Sequence, residues 1–103
     1  MYVFVRTDIS FEQQIVQACH SSIEVARNSL VSPCDEHPSV ILLGVKSESH
    51  LNKVEKHLSS LGIDHRFFVE PDLDNQITSI CTEPVGSEMR SSFRKYQCLK
   101  VKI

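Results

Sequence analysis

Apolar residues first gather in YVFVR, residues 2–6, a short run that predicts a buried strand. Ser10 and Gln13 then form an S-x-x-Q capping box, which opens a helix. Behind it Phe11, Ile15, Cys19, Ile23, Ala26 and Leu30 recur at helical spacing and predict the face that packs on a sheet. VSPCDEHP, rich in proline and turn formers, closes that helix. SVILLGV follows, a continuous apolar run suited to a fully buried parallel strand. A second helix turns Leu51, Val54, Leu58 and Leu61 inward, and Gly62 is placed to end it in a left-handed cap. RFFVE and QITSICT predict two further strands, SEMRSSFRKY a short basic helix, and CLKVKI an alternating edge strand.

A chain beginning β-α-β-α-β implies right-handed crossovers with helices covering the sheet. The predicted fold class is α/β: one domain over residues 1–103, three layers α/β/α, with a mixed, mostly parallel four-stranded sheet whose last core strand is antiparallel. Function in such folds collects at the carboxyl ends of the strands. RTDIS after the first strand, the first turns of helix one, and EPDLDNQ after the third strand are expected to meet there. The only glycines are Gly44, Gly62 and Gly86, which excludes the glycine-rich dinucleotide and nucleoside-triphosphate fingerprints.

Composition narrows this picture. A chain of 103 residues makes one core and buries about two-thirds of its unfolded surface. No window approaches a membrane span, and MYVFVRTD turns polar by its sixth residue without a basic leader, so a soluble, cytoplasmic protein with no membrane partner is expected. Cys19, Cys34, Cys81 and Cys98 lie far apart and form no CxxC pair; reduced thiols are expected, with no disulfide and no metal. Net charge is −2, but it is unevenly spread. Residues 1–88 carry six basic and thirteen acidic side chains, whereas Arg90, Arg94, Lys95, Lys100 and Lys102 follow with no acid among them. That end is either a solvated face with a lysine-protected edge strand or a patch for phosphate.

In this order the residues resemble the type-2 peptidyl-tRNA hydrolases. The opening strand runs into Val5, Arg6, Thr7 and Asp8; Gln17 and His20 keep the family's interval on the first helix; SVILLGV, LSSLG, FFVEPD, ITSICTEP and CLKVK stand in the places of its later motifs. EPDLDNQITSICTEP is similar to the compact acidic turn of a shorter bacterial and viral branch. The resemblance implies hydrolysis of the ester between peptide and tRNA, no cofactor, tRNA or peptidyl-tRNA as partner, and a homodimer. It also implies site residues. Gln13 stands where the family has a lysine, so a neutral donor replaces a cation, and the loop after the acidic turn is shortened. Asp72 best matches the family acid, with Glu70 and Asp74 as neighbours in uncertain register, and Thr78 matches the strand threonine.

The chemistry these residues offer is specific. Adjacent helical positions point about 100° apart, so Cys19 and His20 are not a nucleophile and its base; Cys19 is expected to pack and His20 to hydrogen-bond within the fold near the substrate. Gln13 and Gln17, one turn apart, present two amides to one ligand. A carboxylate such as Asp72 orients or deprotonates water. Thr78 is expected to hold the peptide or ribose end, and Arg6, Arg90, Arg94 and Lys95 to bind substrate. The alternative is a catalytically impaired relative that binds RNA or protein.

Overall fold

The computed structural model describes residues 1–28 and 38–99. Leu30, Cys34, nearly all of VSPCDEHP, Lys100, Lys102 and the end of CLKVKI lie outside the described residues. The elements run β1 (Tyr2–Arg6), α1 (Phe11–Asn28), β2 (Ile41–Val45), α2 (Glu48–Ser60), β3 (His65–Glu70), a 3₁₀ turn (Pro71–Leu73), β4 (Gln76–Thr82), a 3₁₀ helix (Ser87–Phe93) and β5 (Gln97–Cys98).

Among the described residues the sheet has five strands, not four, in the order β3-β4-β1-β2-β5. It is mixed, as expected, but it is not mostly parallel: only β1 and β2 pair in parallel, while β1–β4, β3–β4 and β2–β5 are antiparallel. The reason is the position of β4. It inserts between β1 and β3, so β3 runs in the same direction as β1 yet meets only an antiparallel neighbour. The fifth strand comes from Gln97 and Cys98, which pair with Gly44 and Leu43.

β1 is central and every one of its residues is buried. Alternation sends Tyr2 and Phe4 to one face, where Leu51, Val54 and Leu58 of α2 join Leu43, Val45, Ile80 and Phe93. Val3 faces the other way, against Cys81 and Val25 of α1. The 3₁₀ helix docks through Phe93, whose ring stacks on Tyr2 at 3.8 Å between centroids. α2 ends as its sequence requires: Gly62 takes φ +68°, its N–H donates to Ser59 O, and the Ile63 N–H donates to Leu58 O.

α1 overturns the expected apolar face. Its buried residues are Gln14, Gln17, Ser21 and Val25, whereas Ile15 and Ile23 are 47% and 50% exposed and Cys19 is exposed. The helix is rotated because β4 presents hydroxyls to it. Ser79 Oγ donates to Gln17 O at 2.6 Å and Thr78 Oγ1 to Gln17 Oε1 at 2.7 Å, so a polar face is satisfied where an apolar one would strand these groups. α1 also lies over β4, β3 and β1 rather than β2. That leaves Leu42 and Gly44 half-exposed; Ile41, on the α2 face, is half-exposed too, and SVILLGV is not the fully buried strand its composition suggested.

Candidate active site

A β-bulge builds the centre of the site. On β3 and β4, Phe68 pairs with Ser79 and the next residue, Val69, pairs with Ile77, so Thr78 is one residue too many on β4. An inserted residue breaks strict alternation and lets two neighbours share a face. Thr78 and Ser79 consequently both reach Gln17 on α1. Beside the bulge, beyond the last pair of β1 with β4, side chains bind the backbone of Ile77: its N–H donates to Glu48 Oε2 at 2.8 Å, and Arg6 donates to Ile77 O at 3.3 Å.

Arg6 is therefore a structural group. It is 8% exposed, forms two 2.8 Å hydrogen bonds with the Asp8 carboxylate, and donates to Gln76 Oε1 at 2.7 Å. That pairing raises the Arg6 pKa and holds the Asp8 carboxyl below its ordinary range, hydrogen bonding being the main cause in each. Its donors point at the turn after β1 and at the bulge.

Gln17 is fully buried and uses its whole amide. The Thr78 hydroxyl donates to Oε1, while Nε2 donates to Gln13 Oε1 at 3.0 Å and to Glu70 Oε2 at 3.2 Å. These partners fix which way round the amide lies. Gln13 follows from it: its carbonyl oxygen is turned to Gln17, and its exposed NH₂ donates to no protein group among the described residues. The Ser10 cap predicted for α1 is present, with the Gln13 N–H donating to Ser10 Oγ at 3.2 Å.

The acidic turn has a definite order. Glu70 ends β3, is half-buried, and accepts from both Gln17 and the Asp72 N–H. Asp72 sits in the 3₁₀ turn and Asp74 follows it in the left-handed region; both are exposed. Of the three carboxylates, Glu70 is the one joined to Gln17. His20 stacks on Phe68, with ring centroids 4.2 Å apart and planes within 8°, instead of making the expected hydrogen bond. Arg90, Arg94 and Lys95 are exposed and do not stay together. Lys95 lines the crevice at the carboxyl ends of β1 and β2, whereas Arg90 and Arg94 border a smaller hollow beside Tyr2, Ile41 and Leu43.

Sequence reasoning missed three contributors. Glu48 and Gln14, whose Nε2 holds Ile9 O at 2.9 Å, look in sequence like ordinary helix polarity. The bulge at Thr78 carries no glycine to announce it. Neither Cys19 nor Cys81 serves as a nucleophile beside Gln17: Cys19 is exposed on the far side of α1, and burial pushes the Cys81 thiol up to about 11. Among the described residues no three His, Cys, Asp or Glu side chains cluster as a metal site, and no helix is long and apolar enough to cross a membrane.

A family model described as peptidyl-tRNA hydrolase PTH2 matches residues 1–96. No curated protein matches the chain.

Proposed function

We propose, from the premise that the chain belongs to the peptidyl-tRNA hydrolase PTH2 family, that it cleaves the ester between a peptide and tRNA with Glu70 directing the water and Gln13 facing the oxyanion. The observation that carries this reading is the buried Gln17 amide, which ties Gln13, Glu70 and Thr78 into one hydrogen-bonded unit.

The steps balance without a cofactor. Water held by the Glu70 carboxylate attacks the ester carbonyl carbon and gives Glu70 a proton. The carbonyl electrons move to oxygen, and the free NH₂ of Gln13 donates to that oxyanion. On collapse the bond to the ribose oxygen breaks, and Glu70 returns its proton to the leaving hydroxyl. The products are a peptide with a free carboxylate and tRNA. Thr78 acts through Gln17, as a positioning residue, since its hydroxyl is already given to Gln17 Oε1. Asp72, exposed one turn away, is left to meet the substrate's rim. Arg90, Arg94 and Lys95 meet phosphate, and a tRNA substrate fits a cytoplasmic location. Two copies associate through the exposed side of α1, a reading supported by Ile15, Val16 and Ile23 standing 43–50% exposed there.

Hydrolysis of an N-blocked aminoacyl-tRNA by the purified chain tests the proposal. Glu70→Gln should lose about 100-fold or more in rate, as for removal of a general base, while Asp72→Asn retains most of it. Activity lost in Asp72→Asn and kept in Glu70→Gln would exchange the two roles. Saturable tRNA binding by an inactive wild type would make the chain a binding module.

A further inference from the structure

The chain leaves β1 for α1 on one face of the sheet and leaves β2 for α2 on the other, so the carboxyl ends of these neighbours bound a crevice. Open α/β sheets take ligands at such a divergence. Here the crevice has a volume of about 910 Å³, enough for a small organic ligand. Its charge is one-sided. Lys46 after β2, His50 and Lys53 on the first turns of α2, and Lys95 after the 3₁₀ helix all line it, and among the described residues no Asp or Glu does. Among the described residues none of the three lysines has an ion-pair partner, although the whole chain carries net negative charge.

Like charges gathered around one hollow repel one another, and a bound anion relieves that repulsion. The remaining wall is apolar and aromatic, with Phe11, Val54, Tyr96 and Leu99. Lys95 Nζ lies 5.3 Å from the centroid of the Tyr96 ring, so cation and aromatic surface are side by side. Gly44 keeps part of the lining thin: a Cβ there would stand 2.9 Å from Thr7 Cγ2 and 3.3 Å from Leu99 Cδ1. Bare phosphate would leave most of this space and all of the aromatic wall unused.

We propose that the crevice binds a nucleoside phosphate, with the phosphate at Lys46, Lys53 and Lys95 and the base against Phe11 and Tyr96. None of Gln13, Gln17, Glu70 or Thr78 lines it, so the proposal shares Lys95 with the hydrolytic reading but none of its reacting groups. The same chemistry comes from a free nucleotide or from the terminal nucleotide of an RNA strand.

Backbone amide NMR of the full chain, titrated separately with adenosine 5′-monophosphate, adenosine and a short oligoadenylate, tests it. Saturable shifts are expected at Lys46, Lys53 and Tyr96, with adenosine at least about tenfold weaker than the phosphorylated ligand. The double variant Lys46→Gln, Lys53→Gln should weaken binding about tenfold and flatten its salt dependence. Both lysines are exposed, so folding is not at stake, and the spectrum reports it directly. Saturation by the mononucleotide assigns a free nucleotide; saturation by the oligonucleotide alone assigns an RNA end. Shifts confined to other residues, equal binding of adenosine, or an unchanged double variant would overturn the proposal.

Discussion

A glutamine with no exposed surface is tolerated only if its amide is fully partnered, and Gln17 meets that condition through Thr78, Gln13 and Glu70. The arrangement turns the Gln13 NH₂ outward, at the position the family fills with lysine. Gln13→Lys should therefore raise peptidyl-tRNA hydrolysis about tenfold, since a cation near a developing oxyanion is worth at least 1.4 kcal/mol, roughly one decade. Glu70→Gln in the same background should remove the gain. That Gln13 and Gln17 share a helix face was legible because one helical turn sets it; that Gln17 spends its amide inside the protein instead of on a ligand was not. Nor was the carboxylate that meets it: Glu70 and Asp72 lie two residues apart, and only the geometry of the 3₁₀ turn decides which of them faces α1. A second residue gives a pH test. His57, hydrogen-bonded through Nδ1 to Tyr96 Oη at 2.8 Å, has its pKa lowered first by burial and then by Lys95. Its folded state favours the neutral ring, so its stabilisation is present above the ordinary histidine pKa and is lost as pH falls through it. The thermal midpoint should drop more between about pH 7.5 and about pH 5.5 in the wild type than in His57→Gln.

Local signals were sufficient at the element scale where one segment determines its own shape. Ser10 caps α1, Gly62 terminates α2, and Leu51, Val54 and Leu58 point inward as their spacing requires. They were insufficient for α1, because hydrophobic periodicity assumes that the buried face is the apolar one, and β4 offers hydroxyls instead. The bulge was equally hidden, since QITSICT reads as a strand with or without an extra residue. Its side-chain supports can be tested. Glu48→Ala leaves the Ile77 N–H without its acceptor and should cost about 1–3 kcal/mol in denaturant unfolding. Hydrolysis should fall further than stability, because the turn from Gln76 to Thr78 then loses its hold.

On the scale of the whole molecule, strand order was beyond the sequence because insertion of β4 between β1 and β3 is a long-range choice. So was the cationic crevice, which brings Lys95 from a distant segment to Lys46 and Lys53. The rotation of α1 has an outward effect as well. It turns Ile15, Val16, Cys19, Ile23 and Ala26 to the surface as one stripe. Ile23→Asp should convert the proposed dimer to monomer in analytical ultracentrifugation without lowering the melting temperature of the monomer; an unchanged mass would remove this face from consideration.

The surplus residue at Thr78 makes the proposed catalytic arrangement separable from the fold by length alone. Deleting it restores strict alternation along β4: Ile77 and Ile80 keep the α2 side, Ser79 keeps the α1 side, and the pairing with Phe68 and Val69 becomes regular. Gln17 would then lose the hydroxyl that anchors its carbonyl, while the hydrophobic layers would be undisturbed. On the proposed mechanism, a single-codon deletion is thus the shortest route from this chain to a folded but inert sibling, one whose β4 is a residue shorter.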